Sequence, residues 1–346
     1  MKVFITGATG FVGSYVVGDA LAAGHEVRAL VRPASRNPLA SIAGHPRLSL
    51  VRADLRDRST LGGALRDVDA VIHLAAAKSG DFSTQFAGTV LTTENLLTAM
   101  ADSSAKRLVA VSTFSVYDYT HLSPGSVLDE SSPIEQTAAR RDEYARTKLI
   151  QERLYRDASS EFDVVILRPG MIYGRDNLWH SLLGSPLGPL FLKVGGRSVL
   201  PMTYVENCAQ AITLALTSAD AVGKVLNIVD DNLPTQEQYI RALGARYDVP
   251  ASITVPWPVL RFFAHIASYV NARLLSGRAK FPGIVVPERL DARFKPFVYP
   301  NHAAKQALNW RPVYSLAESF ARSVSDVDLI AERAFSAPAE AGTSAA

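Results

Sequence analysis

The chain has 346 residues, of which 48% are hydrophobic and 20% charged, and its formal net charge is +3. This length and composition allow one large or two unequal domains with a sizeable core, and they exclude an intrinsically disordered protein. Lysine and arginine are scattered rather than clustered, so no nucleic acid partner is expected. The single cysteine, Cys208, excludes an internal disulfide framework and favours a reducing, cytoplasmic location.

The first two thirds of the chain alternate short apolar runs with helical patterns. The predicted strands cover Val3–Thr6, Glu26–Val31, Leu48–Arg52, Ala70–Leu74, Leu108–Ser112 and Val164–Leu167. Helical patterns separate them near residues 12–23, 57–66, 85–101 and 140–157. Strands that alternate with helices predict repeated βαβ units, and hence an α/β fold with a parallel sheet covered on both faces.

The amino-acid composition and the hydrophobic pattern change after residue 170. Proline and glycine are dense over residues 184–201, which we predict to be loops. A helix is expected near Tyr204, a strand over Val225–Val229 and another helix after Pro234.

These patterns predict a domain organisation. Residues 1–170 are expected to form the main domain, with returns to it near 204–230. Residues 171–334 are expected to form mainly a smaller C-terminal substrate-binding lobe. The tail over 335–346 is rich in Ala, Ser and Pro and is predicted to be disordered.

The most lipid-like stretch runs from Pro256 to Leu275. Arg261, His265 and Arg273 interrupt it, so no integral membrane segment is expected. Its spacing predicts an amphipathic helix, and peripheral membrane contact is the alternative interpretation. The side chains expected to turn to one side of this helix are Leu260, Phe263, Ala267, Val270 and Leu274.

A glycine-rich motif, TGATGFVG, follows the first predicted strand and opens the first helix. Gly7, Gly10 and Gly13 have the GxxGxxG spacing. In this context the glycines permit a tight turn, a close approach of the backbone to a pyrophosphate, and close packing of helix on strand. The helix N-terminus then offers N–H groups and a positive dipole to the phosphates. The motif predicts that the chain binds a dinucleotide.

The end of the second predicted strand indicates which dinucleotide is bound. Val31 stands where an acidic residue would bind the ribose hydroxyls of NAD, and it is followed by Arg32 and Arg36. Arginine suits the 2′-phosphate of NADP, so NADP is favoured over NAD, with solvated surface charges as the alternative for these arginines. Asp54 and Leu55 form a candidate contact to the adenine ring, or a simple Asp-turn.

Tyr144 and Lys148 are four residues apart, so on a helix they share one face. A phenol with a pKa near 10 is a poor base at neutral pH, and a neighbouring ammonium and an oxidised nicotinamide would both lower that pKa. The pair therefore predicts proton transfer during hydride transfer to or from an alcohol. Ser112, Thr113 and Ser115 follow a predicted strand and are the candidates for a hydroxyl that positions the reacting oxygen.

Together these motifs resemble the extended short-chain dehydrogenase/reductase family, which contains NAD-dependent epimerases and dehydratases. The likeness also includes HLAA at 73–76, RPGMIYG at 168–174, YVENCAQA at 204–211 and LNWRP at 308–312. It implies a doubly wound, Rossmann-type parallel sheet. It implies Thr113 as the hydroxyl that acts with Tyr144 and Lys148. The residues it places at the cofactor, together with Arg32 and Arg36 above, are Gly7, Thr9, Gly10, Phe11, Val12, Gly13, Asp54, Leu55, Leu74, Ala75, Ala76, Ser112, Tyr144, Lys148, Pro169, Met171 and Ile172.

Three departures from the family pattern narrow the function. Phe114 and Ser115 stand where dehydratases carry acidic residues, so dehydration is not expected. An Arg-Asp pair that holds the diphosphate of sugar nucleotides is replaced by Leu200-Pro201, for which Arg175 or Arg197 would have to substitute. A common Asn of the family is replaced by Thr89.

The leading hypothesis is an NADP-linked oxidoreductase acting on a small-molecule secondary alcohol or ketone, similar to the 3β-hydroxysteroid-dehydrogenase-like and dihydroflavonol-reductase-like branches. A nucleotide-sugar epimerase using the same Thr113, Tyr144 and Lys148 is the alternative, followed by a non-catalytic protein that senses the cofactor. The resemblance also makes a homodimer plausible, through two helices per subunit. No metal is expected, because no His/Cys/Asp cluster has ligand spacing.

Overall fold

The computed structural model of the chain describes residues 1–32, 39–137, 141–188, 190–274 and 281–336. Within these ranges the strands are β1 (Lys2–Thr6), β2 (Glu26–Val31), β3 (Leu48–Arg52), β4 (Ala70–His73), β5 (Arg107–Val111), β6 (Asp163–Pro169), β7 (Met171–Tyr173), β8 (Ser185–Leu187), β9 (Leu190–Val194), β10 (Met202–Tyr204), β11 (Val225–Ile228) and β12 (Ser252–Val255). The α-helices are α1 (Phe11–Ala22), α2 (Phe82–Phe86), α3 (Thr92–Ala101), α4 (Glu143–Asp157), α5 (Val205–Leu214), α6 (Gln236–Gly244), α7 (Trp257–Leu274), α8 (Pro287–Phe294), α9 (His302–Leu308), α10 (Leu316–Ser323) and α11 (Leu329–Ala334).

Seven of the described strands form one parallel sheet in the order β11-β6-β5-β4-β1-β2-β3. The order runs outwards in both directions from β1 and β4, which is the doubly wound arrangement of the Rossmann fold. The predicted α/β fold class and its six N-terminal strands are confirmed. The strand predicted after residue 224 joins the sheet as the edge strand β11, paired with β6.

Alternate residues of the central strands face two separate cores. In β1, Val3 and Ile5 face the core that contains α1 and α5, called the first core below. Phe4 faces the core that contains α3 and α4, called the second core. A strand covered on both faces must be apolar throughout, which is why these strands read as continuous hydrophobic runs rather than alternating ones. Late helices join the first core through buried side chains such as Phe320 of α10 and Leu329 of α11.

A smaller lobe is built on a three-stranded sheet in the order β12-β9-β8. The prediction of loops over 184–201 is wrong, because β8 and β9 pair antiparallel and β9 pairs parallel with β12. Pro186 lies in the edge strand β8, and an edge strand tolerates a residue without an N–H. The core of this lobe consists of Val194, Trp257, Ala264, Ile284, Leu290 and Phe294.

The helix predicted over 57–66 is also wrong. The structure has a single 3₁₀ turn at Arg58–Thr60, followed by further turns. Leu61 and Leu65 are fully buried in the second core. Their four-residue spacing, which suggested a helix, results from the burial of both side chains by turns. Two adjacent glycines, Gly62 and Gly63, make a helix unfavourable at this point because each loses backbone entropy in it.

The helix predicted near 256–275 is present as α7, but its buried face is not the predicted stripe. Trp257 and Ala264 are buried, whereas Phe263 is 58% and Leu274 76% exposed. In the described ranges, no helix is both long and apolar enough to cross a membrane. Most of the predicted tail lies outside the described residues; Phe335 still continues the last turn of α11, its N–H donating to the Ala331 carbonyl at 3.1 Å.

Candidate active site

The predicted site residues meet at one edge of the main sheet. Gly7 follows β1, Leu74 follows β4, Ser112 follows β5 and Gly170 follows β6. These four strands are parallel neighbours, so their carboxyl ends lie along the same edge. The strand order reverses between β1 and β4, and open α/β sheets bind their ligands in the crevice at such a switch point.

The glycine-rich turn joins β1 to α1. Gly7 has a φ of +68°, and the Gly10 N–H donates to the Gly7 carbonyl at 2.9 Å. A Cβ on Gly13 would overlap the Gly7 carbonyl oxygen and lie 2.7 Å from its carbon. Gly10 caps α1 without a side-chain hydrogen bond, and the first N–H groups of a helix have no intrahelical acceptor. This geometry fits a diphosphate at the helix N-terminus.

Other predicted cofactor residues surround this turn. A Cβ on Gly7 would lie 2.9 Å from both Ala75 N and the Leu74 carbonyl carbon, so the segment after β4 covers the turn closely. Phe11 approaches Gly174, where its Cζ would be 3.4 Å from an added Cβ. The remaining members of this group, Thr9, Val12 and Ala76, are half-buried.

The segment RPGMIYG crosses the same edge. Pro169 ends β6, and Met171 and Ile172 lie in β7, which pairs with β10. The backbone is tightly packed here, since a Cβ on Gly170 would lie 2.9 Å from the Pro201 carbonyl carbon. The half-buried Met171 and Ile172 side chains therefore occupy fixed positions beside the crevice.

At the candidate adenine end, the Asp-turn interpretation describes what Asp54 does in this structure. Its carboxylate accepts from the Arg56 N–H at 2.9 Å and from Arg56 Nη2 at 2.6 Å. The hydrogen bond from the Arg56 side chain lowers the pKa of Asp54. Leu55 is buried in the second core. Arg32 follows β2 directly and is exposed, and Arg36 lies outside the described residues.

The three residues of the predicted hydride site come together on α4 and in the segment that follows β5. Tyr144 and Lys148 lie one helical turn apart on α4, and Asp142 caps that helix by accepting from the Ala145 N–H at 2.9 Å. The Thr113 hydroxyl lies beside the Tyr144 phenol, where hydrogen bonding between the two groups lowers the pKa of the phenol. The Lys148 ammonium donates to the carbonyl of Val111, the last residue of β5, at 2.8 Å.

The other two hydroxyl candidates are occupied differently. Ser112 Oγ donates to Glu152 Oε2 at 2.5 Å. Ser115 Oγ accepts from Thr113 Oγ1 at 3.4 Å, and the Ser115 N–H donates to Thr113 Oγ1 at 3.2 Å at the start of a 3₁₀ turn. Of these three hydroxyls, that of Thr113 is the one whose hydrogen bonding lowers the pKa of Tyr144.

Burial shifts the pKa values of both Tyr144 and Lys148. Burial raises the pKa of Tyr144, and the hydrogen bond with Thr113 only partly opposes this. Burial also lowers the pKa of Lys148 to about 7, against the opposing field of Glu152. The phenol is therefore fully protonated near neutral pH, in the form that donates a proton.

A buried polar network behind Lys148 was missed by the sequence analysis. Lys148 Nζ donates to Gln151 Oε1, and Gln151 Nε2 donates to Thr93 Oγ1 at 2.8 Å. His73 bridges this network to β1, with Nε2 2.9 Å from Thr93 Oγ1 and Nδ1 2.6 Å from Thr6 Oγ1. Burial lowers the pKa of His73 to about 3, so the imidazole is neutral. The spacing of Gln151, three residues after Lys148 on the same helix, was the available signal.

A buried ion pair supports the same helix from behind. Arg168 is completely buried and donates through Nε to Glu152 Oε2 at 3.1 Å and through Nη2 to Oε1 at 2.5 Å. Burial raises the pKa of Glu152, but the bonds from Arg168, Ser112 and Arg156 outweigh it and hold the pKa below its usual value. This pair ties α4 to the end of β6.

Two departures from the family pattern now have a structural explanation. Thr89 lies in a π-helical segment, Ala87–Leu91, and its Oγ1 accepts from the Ala77 N–H at 3.0 Å. Arg175 binds the end of α10 and the segment after it: its guanidinium donates to the Ser325 carbonyl at 2.6 Å and to the Arg322 carbonyl at 3.2 Å. The alternative role left open for Arg175, binding a diphosphate, would require these contacts to be broken. Arg197 is exposed.

No group of three or more His, Cys, Asp or Glu side chains suited to a metal ion occurs in the part of the chain that the structure describes.

A sheet of this order, with a glycine turn at its switch point, is the architecture of nicotinamide-dinucleotide-dependent enzymes. The family model described as "NAD dependent epimerase/dehydratase family" matches residues 3–228, and the chain belongs to that family. The resemblance to extended short-chain dehydrogenases/reductases is thereby confirmed, and the protein is an NAD(P)-dependent enzyme of the oxidoreductase, epimerase and dehydratase group.

Individual relatives cover most of the chain. A 2-alkyl-3-oxoalkanoate reductase of Stenotrophomonas maltophilia is 31% identical over 287 residues, which is 75% of this chain and 84% of the relative. A 3 beta-hydroxysteroid dehydrogenase/Delta 5→4-isomerase of Mycobacterium tuberculosis is 31% identical over 92% of this chain and 88% of its own. The crystal structure of UDP-glucuronic acid 4-epimerase from Bacillus cereus in complex with NAD has the same fold, with a TM-score of 0.68 and 22% identity over 96% of this chain and 99% of that one.

Proposed function

We propose that the protein is an NADP-linked oxidoreductase that transfers hydride between the cofactor and a secondary alcohol or ketone. The observation that supports this best is the contact between Thr113 and the Tyr144 phenol, with the buried Lys148 one turn further along α4. The two relatives at 31% identity, a 3-oxoalkanoate reductase and a 3β-hydroxysteroid dehydrogenase, support the same class of substrate group.

The cofactor would lie across the switch point. Its diphosphate would sit at the N-terminus of α1 on the turn formed by Gly7, Gly10 and Gly13. Arg32 follows β2 without an acidic residue before it, which suits a 2′-phosphate better than free ribose hydroxyls. The nearby carboxylate of Asp54 is neutralised by Arg56 and would not repel that phosphate. When bound, the nicotinamide supplies or accepts the hydride.

The protonation state of the site favours ketone reduction. Because burial raises the pKa of Tyr144, its Oη carries the proton that a carbonyl oxygen needs when hydride adds to the carbonyl carbon. Thr113 Oγ1 would hold the same oxygen within reach of the phenol, and Lys148 would bind the nicotinamide ribose. The products are the secondary alcohol and the oxidised cofactor, and Tyr144 is reprotonated from solvent. The reverse reaction, oxidation of the alcohol, starts from the phenolate.

A nucleotide-sugar epimerase is the second candidate, since it would use the same Thr113, Tyr144 and Lys148. The contacts of Arg175 weaken this candidate, because that guanidinium is bound to backbone carbonyls. Of the two arginines that could substitute at Leu200-Pro201, only the exposed Arg197 is left. A cofactor sensor without turnover would not need the hydride site at all.

A substrate panel with the purified chain separates these functions. NADPH and NADH are each mixed with a 2-alkyl-3-oxo acid, a 3-oxosteroid and, separately, UDP-glucose or UDP-glucuronic acid. We expect loss of reduced-cofactor absorbance with at least one ketone, faster with NADPH, and no change in the sugar nucleotides by chromatography. Epimerised sugar with no net cofactor oxidation would establish the epimerase instead, and binding of NADPH with turnover of nothing in the panel would favour the sensor.

A further inference from the structure

Helix α7 is apolar on two opposite faces, and the protein covers only one of them. Trp257 and Ala264 are buried in the core of the smaller lobe. At 100° per residue, the opposite side of the helix presents another run of apolar residues. We call these seven residues the outer face of α7; they are Val259 (45% exposed), Phe262 (63%), Phe263 (58%), Ile266 (43%), Tyr269 (65%), Val270 (37%) and Leu274 (76%).

This arrangement is unusual for a helix at a protein surface. Helices in contact with water normally carry polar side chains opposite their buried stripe, and a helix that is apolar all round is normally covered on all sides. The Phe262 and Phe263 rings contact each other at 5.6 Å between centroids and still remain more than half exposed. A contiguous exposed apolar patch of this kind marks a surface that binds something.

We propose that the outer face of α7 docks onto the surface of an anionic lipid bilayer, with the helix lying in the plane of the interface. The charges of α7 match that partner, because its 18 residues include Arg261, His265 and Arg273 but no Asp or Glu. Arg261 is paired with Asp291 at 3.1 Å, which leaves Arg273 as the helix cation nearest the outer face.

Arg273 lies where it could contact lipid headgroups while the outer face of α7 contacts the bilayer. By helical geometry it lies between Phe262 and Ile266 in angle, within the outer face, and its guanidinium is 5.8 Å from the centre of the Tyr269 ring. Its apolar stem can extend along the face while the charged end reaches lipid phosphates. Aromatic rings and arginine on an otherwise apolar face are the composition of helices that bind in the interfacial region.

A second copy of the chain fits this face less well than lipid does. A second copy would have to be complementary in shape to seven protruding side chains, four of which are more than half exposed, namely Phe262, Phe263, Tyr269 and Leu274. Two outer faces packed together would also bring two Arg273 side chains into the contact, and α7 has no acidic residue to neutralise them. A bilayer requires neither shape complementarity nor a paired acid.

Vesicle flotation of the full chain tests the proposal. The probes are vesicles of phosphatidylcholine alone and vesicles of phosphatidylcholine and phosphatidylglycerol in equal amounts. We expect the wild type to float with the mixed vesicles, and the double variant F262S/F263S to bind them at least about tenfold more weakly, because each ring loses its burial in lipid. R273E should lose most of the preference for anionic lipid. The matched control V298S/V313S changes two residues that are 56% and 60% exposed outside α7, and it should bind as the wild type does.

The same variants distinguish the outcomes. All four residues changed in the two double variants are more than half exposed, so each protein should keep the wild-type melting temperature, and this is measured first. Failure of the wild type to bind mixed vesicles, or equal binding by F262S/F263S, would overturn the proposal. A wild-type dimer in analytical ultracentrifugation that F262S/F263S dissociates, without vesicle binding, would show that the outer face binds a second copy instead. Neither result depends on the cofactor or on turnover, so the proposed function is tested separately.

Discussion

Lys148 and Gln151, three residues apart on α4, are hydrogen-bonded to each other inside the protein. The Gln151 amide is oriented from its other end, where Nε2 donates to Thr93 Oγ1 at 2.8 Å. Lys148 Nζ is thus held between Gln151 and the Val111 carbonyl at the end of β5. Gln151 is therefore a positioning residue for the lysine that we propose binds the nicotinamide ribose.

Gln151→Leu removes this support while it keeps a buried side chain of similar size. We expect NADPH to bind about tenfold more weakly, because a hydrogen bond to a charged group is worth about 1.5–3 kcal/mol. Fluorescence titration with NADPH measures the change. Gln236→Leu is the control, since Gln236 is equally buried but donates to the Leu182 carbonyl in the smaller lobe. If both variants bind NADPH like the wild type, Gln151 does not position Lys148 for the cofactor.

Gly13→Ala should disrupt the junction of β1 and α1. The added Cβ would overlap the Gly7 carbonyl, and overpacking of this kind costs about 1–3 kcal/mol or more. We expect a lower melting temperature together with loss of NADPH binding. Gly62→Ala is the control, because a Cβ there meets nothing within 4 Å and the change should stay within about 0.5 kcal/mol. A wild-type melting curve for Gly13→Ala would contradict the close approach described above.

The hydrophobic pattern predicted the main sheet well, because a strand buried on both faces is a continuous run of apolar residues, as in Val3, Phe4 and Ile5. It failed where burial and secondary structure diverge. Leu61 and Leu65 have helical spacing but are buried by turns around two glycines. On α7, apolar residues occur on both faces, so spacing alone did not tell the covered face from the exposed one. The edge strand β8 was hidden by its proline.

The features of the candidate site also fall into two groups, those that could be predicted from the sequence and those that could not. The glycine turn and the pair Tyr144 and Lys148 are local patterns, and a pattern within one segment is visible in a sequence. The partners of Lys148 come from distant segments, since Val111 and Thr93 meet it only through the sheet. The pKa shifts depend on burial, which no local pattern reports.

Asp230→Asn should change how stability depends on pH. Burial raises the pKa of Asp230 to about 7 from its ordinary 3.8. A carboxyl whose pKa is raised by folding contributes stability that is fully present below pH 3.8 and is lost as the pH rises through about 7. Asparagine does not titrate and can still accept from the Tyr204 N–H and donate to Thr203 Oγ1, the two partners of the native carboxylate.

We therefore expect the free energy of unfolding of Asp230→Asn to exceed that of the wild type at pH 8, by at most about 4 kcal/mol, and the advantage to shrink towards pH 4. Urea unfolding at a series of pH values measures this difference. His73 and Lys148 titrate identically in both proteins, so their effects cancel in the comparison. A constant difference across the whole pH range would show that Asp230 does not titrate as described.

Arg32→Ala tests the choice of cofactor. If Arg32 binds the 2′-phosphate, its removal should weaken NADPH about 10- to 100-fold and leave NADH nearly unchanged, because only NADPH loses a charge-assisted bond. Parallel titrations with the two reduced cofactors measure the ratio. Arg246→Ala, another exposed arginine, should affect neither. Equal weakening of NADPH and NADH by Arg32→Ala would remove the basis for NADP.

The most direct test of the central claim is Tyr144→Phe, which removes one oxygen atom and keeps the ring. With a ketone identified in the substrate panel, we expect kcat/KM to fall about 100- to 10,000-fold while the Kd for NADPH stays within about threefold, because only proton transfer is lost. Tyr247→Phe, a surface tyrosine after α6, should retain full activity. Wild-type turnover by Tyr144→Phe would contradict the proposed role of Tyr144 and, with it, the account of the hydride site.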